Sequence, residues 1–466
     1  AKPLRTSASV PLSSSAALHP KAISATVIIL MSDPPGHLKT YRVLFAWALV
    51  FGFCEGRAHA HANAGVDAID VVTNGRGALV GLESTVGYLR RLPAGGYDWL
   101  CHETVTQPGA LITPRYAENA DGTMLATVGV LDQAKHPSES LYWSTDGCEW
   151  MAPSGLTGHR VSAVSFDPHE PSAVVAVTAT TGKTNGIHLS ADAGRTWAEV
   201  VTLEPGWSFT SVVHATGRDM PIWAVSIETG SAEAALHRSF DGGASWTRTP
   251  ITVDSSIEEA GTVRVLIADQ TDSETAWLVA GPFLENSLLR TRDAGDTYTV
   301  VYRAMAEIID GTQDADDGIW LVASGNKILH SVDGDAFQRL DHAPASLGVA
   351  SAGNAVLLAT RVPREGTALS VCNSAERCTP DPVLPTLRGP PSCPESSESA
   401  RLCEPLWPDL ADAVFGNRDT GTPAADEADD TAGTEPDSSK GCCSSSGVVS
   451  TSAFLLMPFW WRRRLR

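Results

Sequence analysis

Short apolar runs rich in β-branched residues recur through the middle of the chain, each cut off after four to six residues by polar or Gly-rich sequence. Four of them read Ala173-Val174-Val175-Ala176-Val177, Ile222-Trp223-Ala224-Val225-Ser226-Ile227, Ala276-Trp277-Leu278-Val279-Ala280 and Ile319-Trp320-Leu321-Val322-Ala323. A second short run precedes most of these: Val161-Ser162-Ala163-Val164, Thr210-Ser211-Val212-Val213 and Val263-Arg264-Val265-Leu266. Length, β-branching and turn-forming flanks predict strands, and no long 3.6-residue period interrupts them. A third strand follows, as at Gly186-Ile187-His188-Leu189, and a fourth after the polar break, so the unit is four short strands.

The polar breaks themselves repeat. They read Ser144-Thr145-Asp146-Gly147-Cys148-Glu149-Trp150, Ser190-Ala191-Asp192-Ala193-Gly194-Arg195-Thr196-Trp197, Ser239-Phe240-Asp241-Gly242-Gly243-Ala244-Ser245-Trp246 and Thr291-Arg292-Asp293-Ala294-Gly295-Asp296-Thr297-Tyr298. A degenerate fifth is Ser331-Val332-Asp333-Gly334-Asp335-Ala336-Phe337. Successive aspartates stand 46, 49, 52 and 40 residues apart, the spacing of a repeat architecture. Asp followed by Gly is turn chemistry: the carboxylate caps backbone N–H groups and Gly accepts positive φ. The closing aromatic is expected to plug a gap between neighbouring sheets. Asp146, Asp192, Asp241, Asp293 and Asp333 are therefore read as structural turn residues, not ligands.

This phrase resembles the Asp-box, or BNR repeat, of sialidases, sortilin-type receptor domains, xyloglucanases and the photosystem II assembly propeller. The resemblance covers roughly residues 65–385 and implies an all-β fold, a β-propeller with the phrase between the third and fourth strands of each blade. The first and last copies depart from it by lacking Gly two residues after the Asp. Five copies define five blades. Residues 346–385 repeat the pattern, with Cys372 and Cys378 bracketing the turn, and residues 65–105 offer four further candidate strands. Seven blades are expected, six if residues 65–105 complete the last one.

The ends read differently. Residues 31–62 have the form of a secretory signal peptide: Met31, basic Lys39 and Arg42, an apolar run from Val43 to Phe53, then Ala58-His59-Ala60 and Ala60-His61-Ala62. Residues 1–30 are expected to lie upstream of the true start, without a fold of their own. Residues 386–418 form a Cys-containing extension. The acidic 419–440 stretch is too polar for a core and is expected to be a disordered linker. Residues 441–466 carry Cys442 and Cys443, a short apolar helical segment from Val448 to Trp461, then Arg462, Arg463, Arg464 and Arg466. That order resembles the MYXO-CTERM sorting signal, which implies processing or lipid attachment at Cys442 or Cys443 by a membrane protease. A plain membrane anchor is the other reading; the segment is short for a permanent span and contains Pro458.

Of nine cysteines, Cys54 falls in the signal segment and Cys442 and Cys443 in the tail, leaving six. An even set in an exported chain reads as disulfides. Spacing favours Cys372–Cys378 and Cys393–Cys403, which leaves Cys101–Cys148 by subtraction, although six cysteines allow 15 connectivities.

Chemistry is scarce. A sialidase needs an early Arg-Ile-Pro phrase; the nearest here, Arg361-Val362-Pro363, sits near the last blade. A glycosidase needs two facing carboxylates, and Asp167, Glu228, Asp269, Asp314, Asp316 and Asp317 read as loop charges. No phosphate loop, nucleophile elbow or zinc helix is present, so no catalytic residue, cofactor or metal is assigned. The net charge of −20 disfavours nucleic acid. The expectation is a surface-anchored binding or adhesion module for a carbohydrate or protein ligand. A glycoside-active enzyme and an envelope assembly factor are the alternatives.

Overall fold

The computed structural model describes residues 66–415 apart from positions 75, 111, 218–220, 232, 253–261, 283–284, 363–366 and 376. The signal segment with Cys54, His59 and His61, the acidic linker, and the tail with Cys442 and Cys443 lie outside the described residues.

Seven antiparallel sheets follow one another along the chain, six of four strands and one of three. The first holds β1 (Ala68–Thr73), β2 (Leu79–Ser84), β3 (Gly87–Arg91) and β4 (Tyr97–Leu100). The second holds β5 (Arg115–Glu118), β6 (Met124–Thr127) and β7 (Leu141–Ser144); its fourth strand is reduced to Met151, which bridges Trp143. The third holds β8 (Val161–Phe166), β9 (Val174–Thr178), β10 (Gly186–Ser190) and β11 (Ala198–Thr202). The fourth holds β12 (Trp207–His214), β13 (Ile222–Glu228), β14 (Ala234–Ser239) and β15 (Thr247–Pro250). The fifth holds β16 (Thr262–Ala268), β17 (Ala276–Gly281), β18 (Ser287–Thr291) and β19 (Thr299–Arg303). The sixth holds β20 (Ile308–Gln313), β21 (Ile319–Ala323), β22 (Lys327–Ser331) and β23 (Gln338–Arg339). The seventh holds β24 (Ser346–Ala352), β25 (Ala355–Thr360), β26 (Leu369–Ser374) and β27 (Arg377–Asp381). The first strands β1, β5, β8, β12, β16, β20 and β24 touch in that order, and β24 returns to β1. This is a seven-bladed propeller; residues 65–105 make a blade of their own and the six-bladed alternative is dismissed.

The burial pattern follows from that ring. The second strand of a blade faces a neighbouring blade on each side, so β9, β17 and β21 are buried at every residue. Such strands must be continuously apolar, which is why Trp223 and Trp320 are almost wholly covered. The fourth strands, β11 and β15, are mostly exposed. Among the described residues there is no single central core. Seven hydrophobic clusters form instead, each between two adjacent blades, including one joining the seventh blade to the first.

Closure uses the extension after the last blade. Residues 387–389 run parallel to β4: the Arg388 N–H donates to Tyr97 O at 2.8 Å and Trp99 N–H donates to Gly389 O at 2.7 Å. Helices α1 (Glu398–Cys403) and α2 (Trp407–Phe415) then pack on the first blade, with Trp407 against Trp99 at 5.8 Å. Two disulfides tie this segment across the ring, Cys101–Cys403 and Cys148–Cys393. The expected local pair Cys393–Cys403 and its complement Cys101–Cys148 are thus corrected. Each extension cysteine instead meets a cysteine of a different early blade. Cys372–Cys378 does bracket the last hairpin. Arg361 pairs with Asp67 at 3.6 Å at the same seam, a closure role and not an early substrate clamp.

Candidate functional site

The Asp turns prove to be blade-to-blade clamps as well as hairpins. At the second copy, Asp192 Oδ1 accepts from the N–H of Thr196 at 2.9 Å and of Arg195 at 3.1 Å, while Oδ2 accepts the Thr196 hydroxyl at 2.7 Å. Ser190 Oγ accepts the Gly194 N–H at 2.9 Å. Asp241 and Asp293 repeat this with Ser245 and Thr297. Ala193 and Gly194 are consecutive left-handed residues (φ 58° and 89°), and a Cβ on Gly194 would stand 2.6 Å from Leu125 of the preceding blade. The Gly is thus required twice, by its conformation and by its neighbour. The first and last copies are one residue shorter and make one left-handed step, at Gly147 and Gly334, which explains their departure from the repeat. Asp146 caps Cys148 N–H at 2.8 Å, and Asp333 caps Asp335 and Ala336. Donated hydrogen bonds hold the Asp241 and Asp333 carboxyls down at about 2. None of these five aspartates lines the cavity described next.

That cavity lies where the first strands converge and has a volume of about 290 Å³. Its wall carries Asp70 (β1), Glu83 (β2), Arg115 (β5), Ser162 (β8), Arg264 (β16) and Asp310 (β20), with Thr127 (β6) and Leu347 (β24) beside them, so eight strands from six blades supply it. The register of the inner strands explains how charged side chains reach it. The β1–β2 pair is bulged between Ala68 and Asp70, and the β20–β21 pair between Ile308 and Asp310. A bulge re-aims the side chain that follows it, here an aspartate in an otherwise apolar run.

Most of these charges are already engaged. Glu83 is almost fully buried; it accepts from Arg115 at 2.9 Å and from the Tyr116 N–H. Asp310 accepts from the N–H of Gly311 at 2.8 Å and of Val349 at 2.7 Å. Arg264 donates to the carbonyls of Ile308 and Ile309 at 2.8 and 2.7 Å. Asp70 is the exception. Its Oδ1 accepts its neighbour's Val71 N–H at 2.8 Å, but Oδ2 has only Arg115 at 3.4 Å. About a third of its side chain (32%) is open, and it lines the cavity. Burial, then Asp310 and Glu83, push its carboxyl well above the usual range, against the pull of Arg115. Burial also raises Glu83 and Asp310 and lowers Arg264.

Sequence reading missed all five of these charged residues. The available signal was a charge inside a first-strand apolar run, as in Ile69-Asp70-Val71-Val72, Val263-Arg264-Val265 and Ile308-Ile309-Asp310. Three of the six carboxylates it did single out are turn caps: Asp167 holds the His169 and Glu170 N–H groups, Asp269 those of Thr271 and Asp272, and Asp314 those of Asp316 and Gly318. Asp314 also borders a second cavity of about 220 Å³, where it accepts the Trp320 indole N–H at 2.7 Å. Among the described residues no group of three or more His, Cys, Asp or Glu is arranged to hold a metal ion. None of their helices is long and apolar enough to cross a membrane.

No family model matches the chain, and no curated protein matches it. Solved structures do. A Niastella koreensis GH74 enzyme is 14% identical with a TM-score of 0.43, over 56% of this chain and 44% of its own. PorZ, a surface component of the type-IX secretion system of Porphyromonas gingivalis, is 10% identical with a TM-score of 0.42, over 68% and 38%. The Hadza microbial sialidase Hz136 is 15% identical with a TM-score of 0.36, over 56% and 64%. The chain therefore spans less than half the length of the GH74 enzyme. Likenesses with TM-scores below 0.5 carry no argument about what this chain does. By its own blades and closure, the chain is a seven-bladed β-propeller.

Proposed function

We propose that this chain is an exported, surface-displayed propeller that binds a polar ligand at its central channel. The observation that carries the reading is the mixed-charge cavity: five charged side chains from four blades converge on a lumen of about 290 Å³. That is the size of one sugar ring or one side chain, within a concave, preformed surface. Three disulfides among the described residues support an oxidising compartment. The signal-like 31–62 segment and the Cys442–Cys443 tail extend that proposal to export, sorting by a membrane protease and surface attachment. The test is binding of the purified full chain to glycan and peptide panels, with Arg115→Ala as the channel variant. Binding that Arg115→Ala leaves unchanged would remove the channel from the function. Mass spectrometry of the protein from cells tests the tail: an intact C-terminus ending in Arg466 would rule out processing.

One observation favours a second reading, glycoside hydrolysis: Asp70 faces the cavity with a carboxyl that burial pushes well above the usual range, the direction a general acid requires. A second, free carboxylate is also needed, and Glu83 and Asp310 are both committed to N–H groups. Turnover of aryl glycosides by the full chain, lost in Asp70→Asn, would establish it.

A further inference from the structure

We infer that the channel cavity takes a single organic cation, an alkylammonium or alkylguanidinium group, against Asp70. The inference rests on the binding role proposed above and names the chemistry of its ligand. Pairing the charges around the lumen leaves one over. Arg115 is neutralised by Glu83 at 2.9 Å, whereas its contact with Asp70 is 3.4 Å. Arg264 is pinned on the carbonyls of Ile308 and Ile309, next to Asp310 and Glu307. Asp70 is left as a carboxylate that shares Arg115 with the closer Glu83, facing space that can hold a cation of its own.

The strands around Asp70 set three carboxylates, its own included, against two guanidiniums. Glu83 faces it from β2 and Asp310 from β20, both acidic; Arg115 faces it from β5 and Arg264 from β16. From β24 come the apolar Leu347 and the backbone at Gly348, where a Cβ would stand 2.7 Å from Asp70 Oδ1. Nothing on that side can move in as a partner. A carboxylate in this setting relieves the strain by holding a proton. A cation entering the lumen replaces that proton, which leaves to solvent, so charge in the channel stays balanced. A divalent metal is a poorer fit, because Glu83 and Asp310 already spend their oxygens on N–H donors and Arg115.

The experiment is isothermal titration of the full chain with butylguanidine, and with its neutral counterpart butylurea, in two buffers of different ionisation enthalpy. Butylguanidine should bind with release of about one proton and tighten roughly tenfold per pH unit while Asp70 remains protonated. Butylurea should not bind. Asp70→Asn, nearly isosteric and checked for folding by circular dichroism, should weaken butylguanidine at least about tenfold and abolish proton release. Equal binding by Asp70→Asn, binding of butylurea, or calcium taking the site in place of the guanidine would each overturn the inference. If a glycan or peptide bound through Arg115 but was not displaced by butylguanidine, the binding role would stand and the cation inference would fall. If butylguanidine bound as described while no glycan or peptide did, the reverse would hold.

Discussion

The turn aspartates and the channel aspartates are the same side chain in opposite circumstances. Asp241 stands in solvent at the rim of a blade, surrounded by donors, and is held ionised down to about pH 2. Asp70 stands in the lumen beside two other carboxylates and holds its proton far longer. The turn carboxylates have what they need within four residues of chain. The channel carboxylates depend on strands 13 to about 240 residues away, such as Glu83 and Asp310. The lesson is that the repeated, conspicuous aspartates are architectural, and the ones with strained electrostatics sit where no repeat announces them.

The comparison can be attacked at its most buried point first. Asp310→Ala should cost about 2–4 kcal/mol, because it strands the Gly311 and Val349 N–H groups inside the ring. Denaturant unfolding measures it, and a loss under about 1 kcal/mol would make this carboxylate no more structural than an exposed turn.

An acid titration sharpens the contrast, provided the histidines are separated out. His237 is buried behind Phe209, with Ser226 Oγ at 2.9 Å from Nε2, and burial lowers it to about 4. Unfolded, it takes its proton near 6.5, so stability should fall by about 3 kcal/mol as pH drops from 6.5 to 4, then level off. In His237→Gln that limb should shrink by about 3 kcal/mol, leaving the part contributed by His214, which burial also lowers to about 4. If it does not, the acid loss arises elsewhere.

Asp192→Ala should cost about 1 kcal/mol, since the N–H groups it caps can turn to water. Asp192 is depressed in the fold, so its contribution is present above the ordinary 3.8 and lost as pH falls through its lowered value. Circular dichroism melts at pH 6 and pH 2.5 should differ less in the variant. Cation binding in the channel should be untouched, and a loss of it would break the separation of the two regions.

Asp70→Asn is the smallest expected effect on stability, within about 0.5 kcal/mol below pH 3.8, where Asp70 carries its proton in both states. Asp70 is raised in the fold, so its proton stabilises the chain below the unfolded value and that contribution is lost as pH rises through the raised one. The variant should therefore gain on the wild type as pH rises above 3.8. A variant that loses more with rising pH than the wild type would mean that the ionised Asp70 has a partner after all.

Much of the architecture was legible because it is local and repeated. The run Ile319-Trp320-Leu321-Val322-Ala323 became β21, buried on both faces, because strand propensity, length and apolar continuity are read within five residues. The turn at Asp192 was legible for the same reason: donor and acceptor lie four residues apart. The site was not. Asp70 and Arg264 are single charges in apolar runs, and only the bulged inner strands of the ring turn them into one lumen.

The cysteines mark that division most plainly. By itself the sequence determined a blade repeat, its turns and a chain whose six central cysteines could all be joined. Which cysteines join was decided by the ring. Residues 387–389 travel back along β4, which carries Cys403 to Cys101 across 302 residues and Cys393 to Cys148 across 245. A spacing rule favours short loops because they cost little to close. In a closed propeller the folded blades have already brought the two ends of the chain together, so the longest loops become available at no further cost in chain entropy.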